Sequence, residues 1–302
     1  YQTLVGAWPF VRDAAGDASF RQRIAVYMMK ALREAKVHTS WLSPDEEYER
    51  AVIGFVDAVL DAQRLNPFIA AFLPFQARVA ELGIYNSLAQ LVIKVTAPGV
   101  PDFYQGTEFW DLSLVDPDNR RPVDFTGRER VLASLGTDPD VAELVERRAD
   151  GRIKMFAMAR ALAARAQWRD VYEHGDYVPL STSGAGRDSL FAFARVSRGR
   201  APQQSEAVGD HALTITCVPR MVASLMPDAS APPLGRSVWN DTRVELPPGQ
   251  GDPIDSCAPL RDAFTGAEVR AERIGGVWTI PAAVLFARFP VALLVPATPR
   301  ST

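Results

Sequence analysis

What this 302-residue chain has little of narrows its chemistry first: 3 histidines, 2 cysteines and a formal net charge of only −3. His38, His174 and His211 stand far apart. Cys217 and Cys257 make neither a C-x-x-C pair nor a zinc-ligand spacing, so no metal centre, redox pair or other cofactor is expected. Cys217, inside LTITCV, reads as a buried free thiol, and a reducing, cytoplasmic setting fits. A near-balanced charge gives no general attraction to nucleic acid or to an anionic membrane, so neither is an expected partner. No apolar run approaches the roughly 20 residues that cross a bilayer, and no membrane segment is expected. The SGAG turn at Ser183–Gly186 leads into a strand-like run instead of a helix, which argues against a phosphate loop. Asn240-Asp241-Thr242 matches a glycosylation triplet, read as chance without a secretory signal.

The 47% hydrophobic content suffices for one or two domains with a sizeable core. Up to about residue 180 the apolar residues recur at helical spacing. Phe20, Ile24, Ala31 and Leu32 predict a helix over 17–37, with Arg21, Arg23, Lys30 and Arg33 on a solvated face. His38 ends it, where the helix dipole favours a cation. Ser43-Pro44-Asp45-Glu46 resembles a capping box. The helix it opens runs to near Leu65 and buries Tyr48, Val52, Phe55, Val56 and Val59. The next segment starts at Pro67 and is expected to break near Pro74 and again at Gly83. A helix over 84–96 follows. Residues 1–10 are apolar and are expected to pack on polypeptide outside this chain.

After Phe125, helices are predicted over 126–135, 139–148 and 151–168. The last buries Ile153, Phe156, Ala157, Ala161 and Leu162 and turns Arg160, Arg165 and Arg169 to solvent or a neighbouring domain. From Asp188 the pattern changes. LFAFARV, ALTITCV, SVWNDTRVEL, VWTI and VALLV are short β-rich runs between turns, which predicts an antiparallel sandwich. Trp239 and Trp278 in it read as packing residues before sugar platforms. The loops at 198–205 and 227–235 are expected to be mobile.

Between these regions lies APGVPDFYQGTEFWDLSLVDPDNRRPVDF, residues 97–125. Pro98, Gly99 and Pro101 stop the preceding helix, Val100–Tyr104 reads as a short strand, and a polar, aromatic loop follows. Binding groups tend to sit on such loops. Saccharide sites combine planar polar groups for hydroxyl pairs with rings for the apolar faces of pyranoses. Asp102, Gln105, Glu108, Asp116, Asp118, Asn119, Arg120 and Arg121 offer the first, and Phe103, Tyr104, Phe109 and Trp110 the second. The plainer reading is a self-paired turn in which the arginines satisfy the aspartates. Both readings can hold together, since a fixed carboxylate is a better receptor. Asp102 is also readable as structural. A metal at Asp111, Asp116 and Asp118 is disfavoured by the adjacent arginines and by the lack of EF-hand spacing.

PGVPDFYQGTE resembles the last-strand segment of the α-amylase clan of glycoside hydrolases. The string continuing through WDLSLVDPDNRRPVDF resembles the maltooligosyl trehalose synthase family of that clan. So do YQTLVGAWPF, NPFIAAFLPFQARVAELGIYNSLAQ and GRIKMFAMARALAARAQWRDVYEHGDYVPL. The resemblance implies an α/β fold: the C-terminal part of a TIM-type (β/α)8 barrel in residues 1–180, then an all-β antiparallel sandwich in 181–302. It implies that the aspartate nucleophile, the glutamic general acid/base and a further aspartate lie on earlier strands. No catalytic residue is then expected in this chain. The expected partner is the N-terminal part of the same enzyme, and the chain alone is expected to be inactive. The implied reaction is an isomerisation in trehalose biosynthesis, moving a maltooligosaccharide's terminal linkage from α-1,4 to α,α-1,1 by intramolecular transglucosylation. Tyr104, Gln105, Glu108, Trp110, Asp116, Asp118, Asn119, Arg120 and Arg121 are the residues expected to contact the maltooligosaccharide. Two other readings stay open: a non-catalytic α-glucan-binding scaffold, and part of an α-glucan hydrolase.

Overall fold

A computed structural model describes residues 1–10, 14–62, 65–197, 212–227, 231–246 and 259–297. The 198–205 loop, His211, Cys257 and part of the 227–235 loop lie outside the described residues. The chain divides into two compact units, one of residues 1–80 with 111–124 and one of 81–110 with 125–302.

The first unit contains α1 (Gln2–Ala7), α2 (Ala14–Ala35), α3 (Glu46–Leu60) and the start of α4 (Pro67–Thr96). Trp8 is central to its core, with ring centroids 5.3 Å from Phe20 and 5.0 Å from Phe72. Leu4, Ile24, Val56 and Leu60 belong to the same cluster. Residues 1–10 therefore pack within the chain, contrary to expectation, because Leu4, Ala7 and Trp8 fall on one helical face. The cap of α3 is Asp45, whose carboxylate accepts from the Tyr48 amide at 3.0 Å. Ser43 is engaged in the preceding turn with Ser40 instead. Phe55 is 55% exposed, since it lies a residue away from the Val56–Leu60 stripe.

The breaks expected at Pro74 and Gly83 do not occur: α4 is one helix of 30 residues. An interior proline costs about 3 kcal/mol and a glycine about 1. Buried Phe72, Ile84, Tyr85 and Leu88 flank those positions, and each buried large side chain stabilises by about 1.5–3 kcal/mol. Packing wins. Among the described residues α4 is also the one helix long and apolar enough to cross a membrane by length and composition. Counting uninterrupted apolar runs missed it because its polar residues are dispersed. Tyr85, Leu88, Val92 and Val95 on it are buried within the protein.

The second unit holds the rest of α4, then α5 (Phe125–Leu135), α6 (Val141–Glu146), α7 (Arg152–Gln167) and α8 (Arg169–His174). Ile153, Phe156, Ala157 and Ala161 of α7 are buried as expected, while Leu162 is exposed. Among the described residues ten strands follow: β1 (Asp176–Pro179), β2 (Ser181–Ser183), β3 (Leu190–Val196), β4 (Leu213–Pro219), β5 (Arg243–Glu245), β6 (Leu260–Asp262), β7 (Glu268–Val269), β8 (Glu272–Ile274), β9 (Val277–Pro281) and β10 (Ala292–Pro296). They form a six-stranded sheet, β1-β3-β4-β10-β6-β7, and a four-stranded one, β2-β5-β9-β8. All pairings are antiparallel. Leu190, Ala192 and Ala194 alternate along β3 into a core shared with Val244 and Ile280 of the other sheet. Two sheets with one common core make a sandwich.

Among the described residues no strand precedes Asp176, so Val100–Tyr104 runs without a pairing partner. The observed architecture is helices followed by two antiparallel sheets. A parallel barrel strand needs ladder partners beside it, and the described residues place none there. Trp239 closes a short helix, Arg236–Trp239, and does not lie on a strand. Its indole donates to the Pro233 carbonyl at 2.8 Å, and Trp278 packs against the same core. Both tryptophans are packing residues. Cys217 is a buried free thiol, its pKa pushed up by burial.

Candidate functional site

The stretch from 97 to 125 is shared between the units, its first fourteen residues to Trp110 in the second and 111–124 in the first. In the second unit, Ala97 still donates to the Ile93 carbonyl, and Gly99 then turns the chain at φ 109°, a left-handed value that favours glycine. An extended run reaches a turn at Tyr104–Thr107, in which the Thr107 amide and hydroxyl both bond to the Tyr104 carbonyl. Arg128 of α5 locks this turn, reaching the Glu108 carboxylate and the Gly106 carbonyl, each at 2.7 Å. Trp110 donates to the Arg148 carbonyl at 2.8 Å, and Lys154 of α7 donates to the Phe109 carbonyl at 2.9 Å. Gly151 is required beside them, since its φ is 85° and a Cβ there would sit 3.2 Å from the Phe109 side chain.

Beside this turn lies a cleft of about 390 Å³. One wall is α4, through Ser87, Gln90, Leu91 and Lys94; the other sides are Asp102–Tyr104, Thr107, Lys154 and Met158. Lys94 places its ammonium 3.9 Å from the Phe103 ring centroid, a cation–π contact that fixes both groups. Tyr104 is 76% exposed. An amide, a carboxylate, hydroxyls and an open phenol ring suit a polyhydroxylated ligand with an apolar face.

In the first unit, Asp118 organises residues 111–124. Arg23 of α2 grips its carboxylate with two bonds of 2.8 Å and also bonds to the Leu112 carbonyl. The Leu114 amide donates to Asp118 at 2.7 Å, and Arg121 bonds to its backbone carbonyl. Burial works against the charge of Asp118, but Arg23, the Leu114 amide and Arg121 together outweigh it and hold its pKa down. Lys30 donates to the Asp116 carbonyl, and Arg120 forms a two-pronged pair with the Asp116 carboxylate.

Of the residues predicted to meet sugar, Tyr104 opens onto the cleft. Gln105 is exposed on the turn and Asn119 on the single helical turn Asp118–Arg120. Glu108, Asp116, Asp118, Arg120 and Arg121 are in ion pairs, and Trp110 has its N–H committed. The self-paired reading of the aspartates and arginines therefore holds. Asp102 is exposed and lines the cleft. Sequence reasoning missed Ser87, Gln90, Lys94 and Lys154. The legible signal was a polar stripe at three-to-four spacing, 87, 90 and 94, on an otherwise apolar helix.

Asp118→Ala is expected to destabilise the first unit by about 2 kcal/mol, as a half-buried guanidinium pair and an amide bond are lost together. Asp116→Ala, at an exposed pair, should change stability by no more than about 0.5 kcal/mol. Urea midpoints compare the two, and equal shifts would show that the Arg23 clasp does not hold the loop.

The chain is thus a helical region bearing an amide- and phenol-lined cleft, followed by a two-sheet antiparallel domain. No family model matches it. A Mycobacterium tuberculosis protein assigned by name to the maltooligosyl trehalose synthases is 32% identical over 295 residues, 98% of this chain and 31% of its own length. The solved maltooligosyltrehalose synthase of Arthrobacter ramosus is 30% identical with a TM-score of 0.71, again over 98% of this chain and 31% of that one. A structure from Sulfolobus tokodaii, described as a hypothetical maltooligosyl trehalose synthase, is 26% identical with a TM-score of 0.61. This chain is thus related, over nearly all its residues, to the maltooligosyl trehalose synthases, and it spans 31% of the length of the curated relatives it matches.

Proposed function

We propose that this chain is the C-terminal part of an enzyme that converts maltooligosaccharides into maltooligosyl trehalose by intramolecular transglucosylation. Kinship along 98% of the chain with proteins bearing that name carries the reading. In it, the extended run 100–104 is a barrel strand whose neighbours belong to the rest of a cytoplasmic enzyme, with residues 1–180 the end of that barrel and 181–302 the sandwich. The N-terminal part supplies the nucleophile and the general acid, two carboxyls roughly 5 Å apart in a retaining arrangement.

After the α-1,4 bond breaks, the freed glucose has to stay, turn, and accept the chain on its anomeric hydroxyl. Water has to stay out, or hydrolysis takes over. Residues of this chain serve that capture. Tyr104 offers a ring to one pyranose face, and Gln90, Asp102, Gln105 and Thr107 offer bonds to hydroxyls. Glu108 and Arg128 hold the turn that presents them.

The test uses the complete enzyme with maltopentaose. Reducing ends should disappear with little free glucose, whereas a hydrolase would make them appear. Tyr104→Ala should lower kcat/KM about tenfold, and Glu108→Ala should raise glucose release relative to trehalosyl product. Conversion by this chain with no companion polypeptide would defeat the reading. Binding of maltopentaose by this chain in calorimetry, with no conversion by the complete enzyme, would favour a scaffold.

A further inference from the structure

The cleft loop begins at the C-terminal end of α4, and three side chains from elsewhere in the second unit converge on that end. Arg165 of α7 donates to the Val95 carbonyl at 2.6 Å and the Gly99 carbonyl at 2.7 Å. Arg195 of β3 donates to the Thr96 carbonyl at 3.2 Å, and its other terminal nitrogen reaches the carbonyls of Tyr172 and Gly175 at 3.0 and 2.8 Å. Thr216 of β4 donates to the Thr96 hydroxyl at 2.9 Å, which bonds in turn to the Val92 carbonyl. Helix ends leave carbonyls unpaired and carry partial negative charge, so two guanidinium groups suit the place.

The position of Arg195 is otherwise hard to account for. It is 2% exposed and its hydrogen bonds run to backbone carbonyls. Burial works against its charge, with Asp176 as the carboxylate whose charge favours it. An apolar residue would close a sandwich at that point with less desolvation. What the guanidinium adds is geometry, because one side chain ties the ends of α4 and α8 to the six-stranded sheet.

That geometry matters for the cleft because residues 98–103 have no strand ladder among the described residues to set their course. The run is anchored at its two ends. Arg165, Arg195 and Thr216 hold the first, and Arg128 holds the second through Gly106 and Glu108. We propose that Arg195, with Arg165 and Thr216, is a positioning residue through which the β-sandwich sets the cleft loop, and thereby sets whether glucose or water captures the glycosyl intermediate. The proposal rests on the transglucosylase reading above. A misplacement of an ångström or less is enough to change such a partition, since capture depends on alignment at the reacting centre.

The experiment is the ratio of glucose released to trehalosyl product formed by the complete enzyme on maltopentaose. This ratio does not depend on how much enzyme is folded, so a purely structural loss leaves it unmoved. Arg195→Met is expected to raise it about fivefold or more, Arg195→Lys to restore part of the wild-type value, and Thr216→Val to raise it about twofold. If Arg195→Met fails to fold, Arg195→Lys and Thr216→Val carry the same test. An isomerising wild type whose variants lose rate but keep its ratio would overturn the clamp alone. A wild type that only releases reducing sugar would overturn the transglucosylase reading, and the partition role with it.

Discussion

Trp239→Ala is expected to destabilise the second unit by about 4 kcal/mol, the range for emptying a large aromatic site in a packed core. Trp239 is fully buried, its ring centroid lies 4.7 Å from that of Phe286, and its N–H is satisfied by Pro233. Removing the indole leaves a cavity and an unpaired carbonyl at once. Trp41 is the internal control. It is 57% exposed, with the Arg33 guanidinium 5.0 Å from its ring, and Trp41→Ala should change stability by less than about 1 kcal/mol. Urea unfolding of both variants decides the matter. A smaller loss at Trp239 than at Trp41 would contradict the sandwich core described above.

The second large effect is on pH dependence. Asp262 ends β6 and is 3% exposed. Burial raises its pKa to about 6, although the Thr265 hydroxyl and the Phe264 and Leu293 amides donate to it and work the other way. From the usual carboxylate value of 3.8 up to about 6, the folded protein keeps a proton that the unfolded chain releases. Its stabilisation is therefore complete below 3.8 and is lost as pH rises through 6. The loss is on the order of 3 kcal/mol. Glu49 runs in the opposite sense: hydrogen bonds from Arg33 and Thr39 hold it at about 2, so its contribution is present above 4.5 and fades towards pH 2. Asp262→Asn should abolish the decline between pH 4 and 7 while leaving the acid limb alone. Parallel stability curves for wild type and variant over that range would show that Asp262 is not the titrating group.

Much of the fold is legible in the residues alone. Leu190–Val196 and Leu213–Pro219 were recognisable as strands because β-branched and aromatic residues between turn formers favour a pleated, buried surface. The α7 helix was recognisable because Ile153, Phe156, Ala157 and Ala161 repeat at its period. The α4 helix was not, since proline and glycine penalties are local while the burial that offsets them is gathered from distant residues. Trp239 looked like a strand residue for the same reason: its run is β-rich, but its ring is claimed by Phe286 and Pro233.

The candidate site divides similarly. That 97–125 would hold a polar, aromatic loop with its aspartates and arginines paired was readable from residue types alone. Which pairs form was not. The partner of Asp118 lies 95 residues away at Arg23, and that of Glu108 lies 20 away at Arg128.

By itself, the sequence determined the helical and strand periodicities, the stop at Pro98–Gly99 and the kinship with maltooligosyl trehalose synthases, because each is written in neighbouring residues. Only the tertiary structure decided which charges of the loop are committed to holding it, which groups remain to line a cleft, and that a buried arginine from the sheet grips the helix end where the loop starts. Those outcomes depend on atoms brought within hydrogen-bonding distance by packing of the whole chain, and no local pattern encodes them.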